Sequence, residues 1–456
     1  MFRSLLCITS SRLAVSNVVG HATSSQQWNG PRNNSTKFAM RDALAIRLTR
    51  FFMKFTGFWI SNDRRDKLVM DLAMAYTSVA ILIAWIITGT DLWYSRRNFY
   101  QGAYAACNAM TVLLILLKLV VFTIQRDAFI DLIRFSDKNF WKRDYDLFGQ
   151  SVVQDCETRC VYFVCMFTFF AQCTVCSYTI HPIVENLGKN ETDRILPFNI
   201  WLDFPITRTP YFEIMFFIET LSLIHSGICY FCFDNLLCIM IVYAAGQFRI
   251  LQKRLELMYD VSELDDRSEP SARISLKSNY DGFSMDASNH MCRNAEFKDW
   301  VRSHQSIICF VKMVEKVYTF VILGQVLLSS LLICLVSYQA VLADGSFSRR
   351  MIFIVHSGGT FTQLFMFTLT CDDLIRQSET IAEAAYRARW HSSLSSPVSR
   401  RLAKDLMFVT MRTRRACSLT AGGFFPISLE TFSTILSTSI SYLTLLRQGQ
   451  ESSSSQ

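Results

Sequence analysis

Seven apolar runs of bilayer length constrain this chain more than any other feature. They lie near Leu72 to Thr88, Phe99 to Ile124, Cys160 to His181, Tyr211 to Tyr243, Val317 to Leu342, Met351 to Thr370 and Phe424 to Leu446. A helix crosses the hydrocarbon core with roughly 20 such residues. A soluble chain of 456 residues would ordinarily be two or three domains joined by polar linkers. Here 51% of residues are hydrophobic and only 18% are charged, against about 25% in a typical soluble domain. The sequence therefore predicts an all-α membrane protein with seven transmembrane helices. The fourth run exceeds what a bilayer needs, so its end beyond Asp234 is expected to continue as a helix in water. Gln305 to Lys316 does the same ahead of the fifth, where Lys312, Glu315 and Lys316 share a solvated helical face.

Cysteine chemistry is not expected to organise the fold. Cys173/Cys176 and Cys229/Cys232 have CxxC spacing, but both pairs lie inside apolar runs. No His or acidic group accompanies them at zinc-site spacing. They read as small apolar packing residues, and no metal or cofactor is expected. The short loops 89–98, 183–210 and 343–350 hold no cysteine, so extracellular disulfides are not expected.

Charge sets the orientation. With the N-terminus in the cytosol, the inner segments 1–67, 125–159, 247–304 and 372–423 carry 35 Lys/Arg and the outer segments carry 8. That is the positive-inside pattern, although the inner segments are longer and the density per residue is nearly equal. The sequon Asn190-Glu191-Thr192 in the longest outer loop agrees, with Asn190 as glycosylation acceptor. The sequons at Asn33 and Asn34 fall on the inner side. Residues 1–39 are Ser-rich, carry Arg3, Arg12, Arg32 and Lys37, and lack any acidic residue. They resemble a transit peptide, but a presequence fits a seven-helix protein poorly. They read as a disordered extension, or as an upstream start before Met40. Asp260 to Asn294 reads as a flexible polar insertion.

Among seven-helix proteins, a G-protein-coupled receptor would have the opposite orientation. The Asp/Glu-Arg-Tyr triplet, the proline kinks and the Asn-Pro-x-x-Tyr motif of that class are missing here. A secondary transporter would show inverted repeats and helices broken near the midplane, and no repeat is visible. Gly358-Gly359 in the sixth run is the only such interruption, and it can serve close helix packing.

The C-terminal region is more specific. Residues 378–390 read SETIAEAAYRARW, 401–415 read RLAKDLMFVTMRTRR, and 419–448 read LTAGGFFPISLETFSTILSTSISYLTLLRQ. The succession of a small-residue/Tyr/Trp helix, a Thr-Ala-Gly turn and a final Ser-Tyr-x-x-x-Leu helix closely resembles the insect odorant receptor family. The early FTGFW at 55–59 agrees. The gustatory branch of the superfamily usually ends in a Thr-Tyr…Gln-Phe signature, which Ser441-Tyr442…Arg447-Gln448 does not match. The shared co-receptor has a more apolar tail, so the chain looks like a divergent tuning subunit.

The resemblance implies an odorant-gated, non-selective cation channel in the plasma membrane of olfactory neurons. It implies a tetramer with the odorant receptor co-receptor (Orco), a pore lined by the seventh helix, and cytosolic helical extensions forming an anchor domain. The expected organisation is an extension over 1–39, an N-terminal segment and helices 1–4 over 40–246, and a cytosolic loop over 247–304. Helices 5–6 then occupy 305–371, anchor helices 372–423, the pore helix 424–447, and an extracellular tail 448–456.

In the last run, Phe425, Leu429, Phe432, Leu436, Ile440 and Leu443 form one apolar stripe by helical spacing. Thr431, Thr434, Ser437 (or Thr438), Ser441, Leu445 and Gln448 form a hydroxyl-rich second stripe. Such residues are also common at ordinary helix contacts. The resemblance makes Thr434, Ser437, Ser441 and Gln448 pore-lining, with Leu445 at the hydrophobic gate. Arg447 is expected at the outer interface, biasing cation passage or snorkelling to headgroups.

The resemblance also implies a pocket for a small volatile odorant among the second, third, fourth and sixth helices. By position and chemistry its candidates are Tyr104, Asn108, Phe170, Cys173, Ser177, Phe216, Glu219, Phe353, His356 and Thr360. A Phe at helical spacing is more often core packing than ligand contact. Glu219 and His356 are costly to hold in a bilayer, so each needs a partner or a role. No Gly-rich phosphate loop, HExxH or Ser/His/Asp set occurs, so no enzyme is expected. The basic inner segments fit anionic lipid rather than nucleic acid.

Overall fold

The structure, a computed structural model, describes residues 43–59, 64–141, 145–201, 206–258, 282–341, 347–388 and 397–454. The extension 1–39 lies outside them, as do residues 260–281 of the polar insertion. The chain is helical again from Gly282, so no irregular insertion reaches Asn294.

Ten α-helices carry the described fold. They are α1 (Leu44–Phe55), α2 (Arg64–Ser95), α3 (Phe99–Ile124), α4 (Arg126–Ser136), α5 (Leu147–Glu185), α6 (Tyr211–Met258), α7 (Gly282–Val341), α8 (Phe347–Arg387), α9 (Pro397–Thr413) and α10 (Leu429–Ser454). Six of them, α2, α3, α5, α6, α7 and α8, are long and apolar enough to cross a membrane. The chain is a mostly helical, multi-pass membrane protein. The hydroxyl-rich α10 falls below that hydropathy standard.

Local chemistry sets several boundaries. The Asn98 side chain accepts from Tyr100 N at the start of α3, and Asp146 accepts from Gly149 N at the start of α5, each satisfying an orphan helix donor. Pro397 opens α9, where its missing N–H costs nothing. The last helix begins at Leu429 rather than Phe424, because residues 420–426 form a two-stranded ribbon, β1 (Thr420–Ala421) and β2 (Phe425–Pro426). Gly422 and Gly423 at its turn have φ of +61° and +81°, a region that glycine enters freely. The ribbon docks on α7: Thr420 Oγ1 donates to Glu315 Oε1 at 2.6 Å, and Gly422 N donates to Thr319 O at 3.1 Å. Helix α10 continues through residues 448–454, where a tail was expected.

Helix α6 is the bundle's centre. Nearly all of its apolar stretch is buried, whereas α2 turns most of its apolar surface outward, with Leu72, Tyr76, Val79, Ile83 and Ile86 exposed. Lipid is as apolar as these side chains, so packing rather than water exclusion must hold the buried helices together. Phe122 of α3 and Phe233 of α6 stack at 4.2 Å, with Tyr318 of α7 edge-on at 5.1 Å.

At the end where α5 begins and α6 finishes, the contacts change character. Arg249 pairs with Asp155 at 2.7 Å, Arg159 with Asp373 at 3.2 Å and Arg387 with Glu256 at 3.1 Å. Trp300 is fully buried, and its Nε1 donates to Leu251 O at 2.9 Å. Helix α6, the expected fourth span, does run on past Asp234 to Met258, and residues 305–316 are helical within α7, but the stretch after Asp234 is buried against its neighbours rather than projecting into water.

Candidate functional site

Helices α2, α3, α5, α6 and α8 enclose a cavity of about 230 Å³ with a mostly apolar lining. Small residues open the space. Gly358 and Gly359 let α8 lie against Phe170 of α5, where a Cβ on either would come within 3.4 Å of the ring or its Cβ. The loop between α5 and α6 forms one wall through Phe198 and Ile200. Two buried carboxylates hold that loop. Asp91 of α2 accepts from Trp201 Nε1 at 3.1 Å and from Asn199 Nδ2 at 3.4 Å. Glu219 of α6 accepts from Phe198 N through Oε2 at 3.0 Å.

Polar groups gather at the two ends of the cavity. Beneath the loop, Tyr178 donates to Asn108 Oδ1 at 2.8 Å, and its ring lies 6.1 Å from Phe198 and 6.4 Å from His356. At the opposite end, Tyr230 donates to Gln363 Oε1 at 2.6 Å, and Gln363 Nε2 donates to Asp234 Oδ2. Behind this floor, outside the lining, Lys118 Nζ lies 2.7 Å from Asp234 Oδ2 and 3.0 Å from Tyr230 O. Lys118 is fully buried.

The structure brings Asn108, Phe170, Glu219, His356 and Thr360 together on this cavity. The other five expected residues are not among its lining residues, and helical geometry explains each. The lining of α5 runs Phe167, Phe170/Ala171, Thr174/Val175 and Tyr178, so Cys173 and Ser177 point about a quarter-turn away. Phe216 stacks on Phe212 instead. Tyr104 and Phe353 stand one turn beyond the end of the cavity and pack edge-to-face on each other at 5.6 Å. Sequence reasoning did not place Tyr178, Phe198, Tyr230, Gln363, Lys118 or Asp234 at the site, and it named Asp234 only as the point where the fourth run leaves the bilayer. Lys118 and Asp234 were detectable as charges of opposite sign inside separate apolar runs. The loop residues carry no such signal, because only the tertiary fold brings them over the cavity.

A helical bundle around an apolar cavity admits several receptor and carrier families. The family model described as 7tm Odorant receptor matches residues 101–440, three-quarters of the sequence. The chain belongs to the insect odorant receptor family. Odorant receptor 13a of Drosophila melanogaster is 27% identical over 89% of this odorant receptor and 96% of the fly protein. The odorant receptor coreceptor of Harpegnathos saltator is 28% identical, but over only 35% of this chain and 32% of its own length. That contrast marks the chain as a tuning receptor rather than a co-receptor. The structure of the insect olfactory receptor OR5 from Machilis hrabei shares its fold, with a TM-score of 0.69 and 17% identity over 88% of this chain and 97% of that one. OR5 has also been solved in complex with eugenol, with the same agreement in fold.

The last helix has two distinct faces. Phe432, Ile435, Ser439, Leu443 and Leu446 turn inward. Phe432 packs on Phe361 and Phe365, and Ser439 Oγ donates to Ser330 O at 3.0 Å. The inward face is thus rotated from the apolar stripe expected from sequence, and Ile440 is exposed. Ser439, a hydroxyl, is inside because it has a carbonyl to bond. Thr434, Ser437, Ser441, Leu445 and Gln448 all lie on the exposed face. Thr434 and Ser441 donate to carbonyls of their own helix, at 3.0 Å and 2.9 Å.

Proposed function

We propose that this odorant receptor binds a small volatile ligand in the cavity beneath the α5–α6 loop and opens a non-selective cation channel assembled with the co-receptor. The observation that carries the reading is the cavity itself, a mostly apolar chamber inside a receptor bundle, closed on one side by a loop that two buried carboxylates pin. Pockets of this character suit small apolar ligands with a few polar groups. Eugenol bound to OR5, a receptor of the same fold, supports a small organic ligand here.

The channel is a tetramer with α10 around its axis and seven crossings per subunit. The N-terminus is cytosolic, the extensions of α6, α7 and α8 and the segment ahead of α10, with α9, form a cytosolic anchor, and residues 372–423 belong to it. In favour of the pore assignment, the chain's own helices leave the face bearing Thr434, Ser437, Ser441, Leu445 and Gln448 uncovered. The deciding experiment is expression with and without the co-receptor, with currents recorded against an odorant panel. A rapid ionotropic current that needs the co-receptor is expected. A response abolished by blocking G-proteins would overturn the reading.

Topology has its own check. Asn190 is exposed ahead of a short turn of helix at Glu191–Asp193, in the loop that covers the cavity. Asn190→Gln should remove an endoglycosidase-sensitive mobility shift. An epitope at the N-terminus should stain only permeabilised cells, and staining of intact cells would reverse the orientation.

The gate is Leu445, which is 61% exposed on the hydroxyl-rich face. Four converging leucines leave a narrow apolar neck where water is unstable, so an ion must shed hydration with nothing to replace it. Leu445→Ser should wet the neck and raise current without ligand. The control is Leu443→Ser, which should impair expression without opening the pore, because Leu443 packs beside Ala103 and Tyr338. Leu445→Ser channels at the surface with no added basal current would remove Leu445 from the gate.

A further inference from the structure

The polar atoms of the cavity sort into two groups. At the floor, Tyr230 and Gln363 are bonded to each other and, behind the lining, to Lys118 and Asp234 in one network. Under the loop, three buried atoms on three different helices converge: Glu219 Oε1 and His356 Nδ1 have no hydrogen-bond partner, and Asn108 Nδ2 has none but the Tyr104 hydroxyl one helical turn away. Their residues are 6%, 6% and 8% exposed, and all three line the cavity. The other atoms of these side chains are engaged in a way that fixes them. Glu219 Oε2 holds Phe198 N, and Asn108 Oδ1 accepts from Tyr178. A buried polar atom without a partner is costly, so this end of the cavity is organised for a group that the chain itself does not supply.

The three atoms differ in kind. Glu219 Oε1 accepts when the carboxyl is ionised. Asn108 Nδ2 can only donate. His356 Nδ1 takes either role according to its tautomer. An ester, ketone or ether offers acceptors alone and leaves Glu219 Oε1 unmatched. An ammonium offers donors alone and leaves Asn108 Nδ2 unmatched. A hydroxyl is the smallest group that donates and accepts at once.

We propose that the activating ligands of this receptor are alcohols or phenols, whose hydroxyl donates to Glu219 and accepts from Asn108 under the α5–α6 loop, with the apolar body directed toward Tyr230 and Gln363. This specificity rests on the reading that the cavity holds the activating ligand. Because Glu219 also holds Phe198 N, a hydroxyl bound at Oε1 touches the same side chain that pins the loop.

The test uses the full-length receptor with the co-receptor and a panel of straight-chain primary alcohols and simple phenols. Each is matched by carbon skeleton to its methyl ether, its aldehyde and its amine. In the wild type, hydroxyl compounds should act at concentrations about ten-fold lower than their matched partners, the scale of one well-made buried hydrogen bond. Glu219→Gln keeps an acceptor for Phe198 N but turns the orphan into a donor, so the preference should pass to ethers and aldehydes. Asn108→Leu should reduce the alcohol advantage with little effect on ethers. A purely structural role for either residue would lower all responses together and leave the ratios unchanged. Matched ethers or amines as potent as the alcohols would overturn the proposal while leaving the channel reading intact, as would unchanged ratios in both variants. If the wild type reaches the surface with the co-receptor and no compound evokes current, the channel reading fails and this proposal with it.

Discussion

Lys118→Met alone should remove the receptor from the cell surface, and adding Asp234→Asn should return it. Lys118 is fully buried and its ammonium lies 2.7 Å from Asp234 Oδ2. The pair stands on α3 and α6, within the apolar stretches of both helices. Taking either charge out of water is expensive, and each is tolerable only because the other neutralises it. Removing one partner leaves an uncompensated buried charge, a loss of about 3–5 kcal/mol. A fold with a stability of about 5–15 kcal/mol cannot absorb that without a large fall in folded protein. The paired replacement removes both charges, and the new amide still offers an oxygen to Gln363 Nε2, which otherwise donates to Asp234. Surface biotinylation of the single and double variants measures the outcome. Normal surface levels of Lys118→Met alone would mean that Asp234 does not depend on the ammonium.

Gly57→Ala should be as damaging, for a backbone reason. Gly57 ends α1 with φ of +83°. A Cβ there would lie 2.3 Å from Met74 N and 2.6 Å from Met70 O, both backbone atoms of α2. A side chain could rotate away, but a helix backbone cannot, so α1 and α2 would have to separate. The same region is held by Thr77 Oγ1 donating to Thr56 O at 3.2 Å. Gly188 provides the comparison. Its φ is +81°, yet nothing lies within 4 Å of its would-be Cβ. Gly188→Ala should therefore bear only the conformational strain, about 1–2 kcal/mol, and retain most of its surface expression. If the two variants lose equal amounts of folded receptor, the close approach of α1 to α2 contributes nothing.

Sequence alone determined the helical membrane class. Hydrophobic runs of bilayer length record the demand that every backbone group be satisfied internally, and that demand does not depend on which helix packs where. The C-terminal succession of motifs pointed to the family by resemblance, and the match of the family model over residues 101–440 agrees. The hydroxyl face of α10 was visible too, since Thr434, Ser437 and Ser441 are spaced for one side of any helix.

Tertiary structure decided which side of each helix meets the cavity. Helical period relates residues along one element but carries no absolute rotation, so Cys173 and Ser177 were as plausible as Thr174 and Tyr178. The same freedom shifted the inward face of α10 to Ile435 and Ser439. Long-range partners were decided in the same way. Lys118 meets Asp234 across 116 positions, and Trp201 meets Asp91 across 110. Nothing local in either segment encodes its partner. Only packing of the whole bundle set one pair behind the floor of the cavity, and let the other hold the loop that closes it.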